Sequence, residues 1–179
     1  DDGDLEDGDG CASDCSIERG WECVIADFSI DFYEVFADAS FGEHPAPDWS
    51  ISADALTVSQ TQNSRPSIYN TNLDASLHAI TFSLRVATTS DDDFIGWAVG
   101  FQEGDSTASS TDWLLFDWKQ GTQTWTTGVS ATAGLRVWRV SAGVDGEDLW
   151  GHGTGIELIA EADSLGTTGW TDNTTHTVE

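Results

Sequence analysis

The 179-residue chain sets 32 acidic residues against six basic ones, a net charge of −26, with Lys119 its single lysine. That balance repels polyanions and argues against nucleic-acid binding or docking on anionic membranes. No apolar run approaches the ~20 residues of a membrane span. With 39% hydrophobic residues, nine Trp and eight Phe, the chain can still build a core.

Methionine is absent, so the chain is expected to be part of a longer or processed precursor. Residues 1–24 hold nine acids and all three cysteines, Cys11, Cys15 and Cys23. Such a Gly/Asp-rich segment has too few apolar residues for a core, which favours a small disulfide-held module. Zinc would need a fourth ligand, and no His lies near these three. Three is an odd number, so one partner is expected before Asp1. The stretches Asp7-Gly8-Asp9-Gly10-Cys11 and Gly20-Trp21-Glu22-Cys23 resemble the latter half of the Myxococcus-type cysteine-rich repeat. That resemblance implies an extracytoplasmic protein. Asp1, Asp4, Asp7 and Asp9 have oxygen-ligand spacing, yet they lack the twelve-residue loop and closing Glu of an EF-hand.

From Ile25 the pattern changes to period-two alternation broken by Gly, Pro, Asn and Asp clusters. Ile80, Phe82, Leu84 and Val86 alternate with polar residues, as in a half-buried strand. Phe94–Phe101 is apolar on both faces, with Gly96, Ala98 and Gly100 permitting close approach of an inner strand. Trp113–Trp118 and Leu135–Val140 read as strands, separated by turns at Thr88–Asp93, Glu103–Thr111 and Val144–Asp148. A helix is conceivable only at Ile156–Leu165, where alternation fits a strand equally well. Thr174–Glu179 looks like the opening of a strand, so the domain is expected to continue beyond Glu179. Many short strands at such spacing predict an all-β sandwich.

Three groups of motifs in order are similar to the thrombospondin C-terminal domain. The first joins Pro47-Asp48-Trp49, Gln60-Thr61-Gln62-Asn63-Ser64, Asp91-Asp92-Asp93-Phe94-Ile95-Gly96 and Gly100-Phe101-Gln102. The second is Trp118-Lys119-Gln120 with Gln123-Thr124-Trp125. The third is Leu149-Trp150 with Gly169-Trp170-Thr171-Asp172. The resemblance spans residues 25–179 and implies a two-sheet, lectin-like jelly roll in an extracellular or cell-surface protein. It implies calcium in loops at one end, and adhesion or matrix binding through a protein or glycan ligand. Two departures stand out: the cysteine-rich segment replaces the family's calcium-wrapped repeats, and the family's closing strands are missing. Asp91, Asp92 and Asp93 match the family's acidic loop and are the leading calcium ligands, with Asp48 and Asp27 as further candidates. Calcium takes six to eight oxygens, which loop carboxylates supply. Successive side chains of extended backbone face opposite ways, so a single cage of all three is not expected.

Catalysis finds little support. Glu161-Ala162-Asp163 begins a paired-carboxylate pattern, but Gly166 stands where the closing Glu belongs. His44, His78, His152 and His176 are scattered, and Gly151-His152-Gly153 reads as a turn. Trp97, Trp113, Trp118 and Trp138 fall in strand patterns and are expected in the core. Trp125, Trp150 and Trp170 lie near loops and could form an exposed ligand platform. A carbohydrate-binding module and a passive surface spacer therefore stand as alternatives.

Overall fold

The computed structural model describes residues 33–37, 44–71, 80–124 and 128–179. Cys11, Cys15, Cys23, Asp27 and Trp125 lie outside the described residues. The described part is mostly strand: β1 Tyr33–Val35, β2 Trp49–Ile51, β3 Val58–Gln60, β4 Ser67–Tyr69, β5 Phe82–Leu84 and β6 Phe94–Val99. Then come β7 Trp113–Lys119, β8 Gln123–Thr124, β9 Ser130–Ala131, β10 Gly134–Val140, α1 Gly146–Gly151, β11 Ile156–Glu161 and β12 His176–Val178.

A four-stranded antiparallel sheet ordered β11-β10-β7-β6 organises the rest, with two-stranded ladders β1-β4, β2-β3, β5-β12 and β8-β9 around it. The two interior strands, β7 and β10, coincide with runs read as strands from the sequence, whereas β6, expected as an inner strand, ends the sheet's order among the described residues. In β7 the alternation puts Trp113, Leu115, Asp117 and Lys119 on one face, and all four are buried. Trp113 and Leu115 join Phe36, Val140, Val144 and Leu149 in an apolar cluster on that face. Trp118 turns to the opposite face and packs with Val86 and Trp170, flanked by Ile95, Leu135 and Leu165. The sheet therefore carries apolar packing on both sides, and one side grades from Trp113 into the charged pair Asp117 and Lys119.

Gly96 is required by the ladder: a Cβ there would stand 2.0 Å from the Phe116 carbonyl oxygen. Next to it Trp97 stacks on Phe116 with centroids 4.9 Å apart and meets Phe82 edge-on at 5.3 Å.

At Ile156–Leu165, where the sequence left helix and strand open, residues Ile156–Glu161 form strand β11. The one helix among the described residues is α1, in the stretch assigned to a turn. Six residues make under two turns, too short for a 3.6-residue pattern to show. Capping defines it instead. The Asp145 carboxylate accepts the Asp148 N–H at 2.9 Å, Glu147 and Asp148 lie in the first turn, and His152 closes the end in left-handed backbone (φ 54°). No helix of the described residues is long and apolar enough to cross a membrane. Strand β12 pairs with β5, His176 opposite Leu84.

Candidate functional site

The acidic loop leads directly into β6, and the ladder places Phe94 opposite Lys119. Asp93 thus sits just before β6, beside the C-terminal end of the interior strand β7. Within the loop, the Asp91 carboxylate accepts the Asp93 N–H at 3.2 Å, the local turn typical of aspartate. The Lys119 ammonium lies beneath. It donates to the Asp92 carbonyl at 3.0 Å, to Asp93 Oδ1 at 3.3 Å and to Gln123 Oε1. The side chain of Lys119 is 0% exposed, against 40% for Asp93. Its ammonium also stands 4.9 Å from the Phe94 ring centre and 5.1 Å from that of Trp150.

Two indoles grip the same residue from elsewhere in the chain. Trp150, on α1, donates from Nε1 to Asp93 Oδ1 at 3.1 Å, and Trp170 donates to the Asp93 carbonyl at 3.1 Å. Trp150 packs with Ala131, Phe94 and Val129, while Trp170 belongs to the cluster on the other side of the sheet. The segment bearing Trp170 is itself tied to β7. Trp118 Nε1 donates to the Thr168 carbonyl at 2.7 Å, and Gln120 Nε2 donates to Asp172 Oδ1 at 2.9 Å. Gly169 allows that approach, since a Cβ would lie 1.8 Å from the Gln120 carbonyl oxygen. Gln123 completes the surround by donating from Nε2 to Asp92 Oδ1.

Burial pushes the Lys119 ammonium below the ordinary lysine value, against the opposing pull of Asp93 and, more weakly, Asp92 and Asp91. The cation thus sits where its solvation is poorest and its counter-charges are nearest.

A second polar cluster adjoins this one on the same face. Asp117, 4% exposed, accepts Trp138 Nε1 at 2.9 Å and contacts His152 Nε2 at 2.6 Å. The imidazole stacks on the Trp138 indole, centroids 3.7 Å apart, and meets Phe94 edge-on at 5.4 Å. These contacts hold a non-glycine residue in the left-handed conformation that a helix end normally gives to glycine. The turn expected at Gly151–Gly153 is therefore also a buried partner for a carboxylate.

The expected site residues fare differently. Asp91, Asp92 and Asp93 share one loop, and Asp91 and Asp92 are exposed. Asp93 has its Oδ1 committed to Lys119 and Trp150. Asp48 is engaged locally, accepting Thr61 Oγ1 at 2.9 Å across the β2–β3 ladder. Among the described residues no group of three or more His, Cys, Asp or Glu side chains is arranged to hold a metal ion. The donor chemistry of Asp91 and Asp92 suits calcium; a cage built from all three aspartates does not fit. The exposed platform is corrected at two positions: Trp150 and Trp170 are 6% and 3% exposed, because their rings pack in apolar clusters and their N–H groups serve Asp93. Trp113 and Trp118 are in the core as expected, and Trp97 and Trp138 are half-buried.

Sequence reasoning assigned no role to Lys119, Gln123, Asp117 or His152. A signal for two of them was present: alternation from Trp113 carries Asp117 and Lys119 onto the buried face of a central strand, where unpaired charge is not tolerated. Compared with known proteins, the chain matches no family profile and no curated protein.

Proposed function

We propose that the chain is an extracellular, calcium-binding, non-catalytic adhesion or matrix-binding module on a two-sheet lectin-like jelly roll, similar to the thrombospondin C-terminal domain. Residues 1–24 are its partial, disulfide-held cysteine-rich repeat. The observation that supports this reading is convergence. Asp91–Asp93, Trp118–Lys119–Gln120 with Gln123, Trp150, and Trp170 with Asp172 are among the stretches carrying the resemblance, and these meet at one end of the central sheet.

Calcium belongs at the exposed carboxylates of Asp91 and Asp92, with water and backbone carbonyls completing its oxygen shell. Asp93 contributes charge while its side chain stays with Lys119. The ion supplies neutralisation of a strongly acidic loop, and the residues around it hold the loop's shape for a protein or glycan ligand.

Calorimetry and melting test the reading together. Millimolar calcium should give a binding heat with an affinity of ~10⁻⁴–10⁻³ M, the range of extracellular modules. By mass action it should raise Tm, and Asp91→Asn with Asp92→Asn should abolish both effects. No heat and an unchanged Tm would sink the calcium assignment.

A further inference from the structure

Lys119 presents a physical puzzle: the chain's single lysine is fully buried in a protein whose net charge is −26. Burying an ammonium is costly unless acceptors and counter-charge replace its water. Filling the space would not require one, since a methionine has a similar length and reach. What the ammonium adds is a charge and three donors. Three oxygens meet it: the Asp92 carbonyl, Asp93 Oδ1 and Gln123 Oε1. The Phe94 and Trp150 rings close off the rest of the approach. Gln123 is held in turn, because its amide donates to Asp92 Oδ1. The polar arrangement is therefore complete on the inner side of the loop without any further ion.

The geometry points to Lys119 as the resident cation of the acidic loop: an internal ammonium that fixes Asp92 and Asp93 from beneath, so that the loop takes its shape without a divalent ion. A calcium ion then adds only at the outer carboxylates, and that second part rests on the calcium reading above. A metal-shaped loop would open when stripped. This one stays closed and offers a preformed outer surface.

Because the lysine is unique, its accessibility can be read directly. The chain is treated with an amine-acetylating reagent in excess EDTA, and acetylation at Lys119 and at the N-terminal amine is followed by mass spectrometry. In EDTA, Lys119 should react on the order of 100-fold more slowly than in the denatured chain, as expected for a site that opens only by local unfolding. Reaction in EDTA at the denatured rate, with calcium restoring protection, would overturn the assignment and make the metal the loop's organiser.

A charge-specific readout comes from Lys119→Met, Asp93→Asn and the double variant, all melted in EDTA. Lys119→Met should lower Tm by roughly 4–10 °C, because it takes the counter-charge from the Asp93 carboxylate and the donor from the Asp92 carbonyl. Asp93→Asn added to it should restore at least half of that loss, since the uncompensated charge is gone. A double variant no more stable than Lys119→Met, whether or not either folds, would mean that the lysine acts by packing alone. The absence of a calcium heat in the unaltered chain would remove the calcium reading and leave these two results untouched.

Discussion

A carboxylate distant in sequence helps to anchor the loop that follows β6. Glu34 on β1 accepts the backbone N–H of Gly104 and, at 3.0 Å, that of Ser106. Burial works to raise its pKa, but the hydrogen bonds from Ser106 and Gly104 together outweigh it and hold the carboxyl below its ordinary value of 4.5. The sign of the linkage follows. Above pH 4.5 the ionised form is favoured in the folded state and its contribution is complete. As pH falls through the lower folded value, that contribution is lost. Glu34→Gln should therefore cost about 1 kcal/mol at neutral pH, and the difference from the parent should vanish in acid. Urea melts at pH 7 and at successive acid pH values down to the limit of folding check this; a deficit that stays constant throughout would show that the charge is irrelevant.

Short elements carry much of the positioning. Helix α1 has only six residues, yet it delivers Trp150 to the loop and His152 to Asp117. Its stability rests on its cap, so Asp145→Ala should cost ~1 kcal/mol, seen as a lower urea midpoint with unchanged slope. A midpoint within error of the parent would mean that packing of Leu149 and Trp150 alone defines the turn. Strand β11 shows the opposite treatment. Among the described residues it forms the outer edge of the sheet, with Leu158 and Ile159 49% and 54% exposed. A register shift leaves Ile159 without a partner on β10, and Glu157 and Glu161 flank it. A bulged, charged edge resists pairing with another strand. Strands β6, β7 and β10 were readable in advance because each is a run of apolar and aromatic residues bounded by turn residues, whose apolar faces demand burial. Helix α1 was not, since capping chemistry without periodicity resembles a turn. The acidic loop was likewise visible as Asp91–Asp93. Its partners were hidden by separation along the chain: Lys119 comes from 26 residues away, Trp150 from 57 and Trp170 from 77. Only pairing of β6 with β7, and the packing on each face, brings them to one point.

Among the described residues the charge imbalance is largely unrelieved by ion pairs. Lys119 is consumed internally, Arg136 by Glu161 and the carbonyls of Thr132, Ala133 and Gly166, and Arg139 by Asp112 in a two-pronged contact at 2.8 Å. Most acids among the described residues are exposed, and at a net charge of −26 compaction brings like charges closer together. Salt should therefore stabilise the fold by screening that repulsion. Tm in EDTA is expected to rise between 0.01 and 0.5 M NaCl, although the exposed Arg139–Asp112 pair weakens in the same range. A falling Tm would mean that the ion pairs outweigh the repulsion.

The segment around Gly169 and Trp170 has a bearing on how the protein reaches this arrangement in time. Its bonds span 50 residues to Trp118, 52 to Gln120 and 77 to Asp93, whereas β6, β7 and β10 meet in antiparallel order along the chain. Distant contacts carry a larger loop-closure cost, so the sheet should form first and the Trp170 segment should dock onto it late. A contact made after the transition state affects the rate of escape from the native state and leaves the rate of entry alone. Trp170→Phe, which removes the donor to Asp93, should accelerate unfolding about fivefold and leave refolding nearly unchanged. Slowed refolding in stopped-flow fluorescence would instead place this segment in the nucleus. With late docking, the contact from Trp170 to the loop that carries the proposed calcium site is among the last to close on folding and the first to be released.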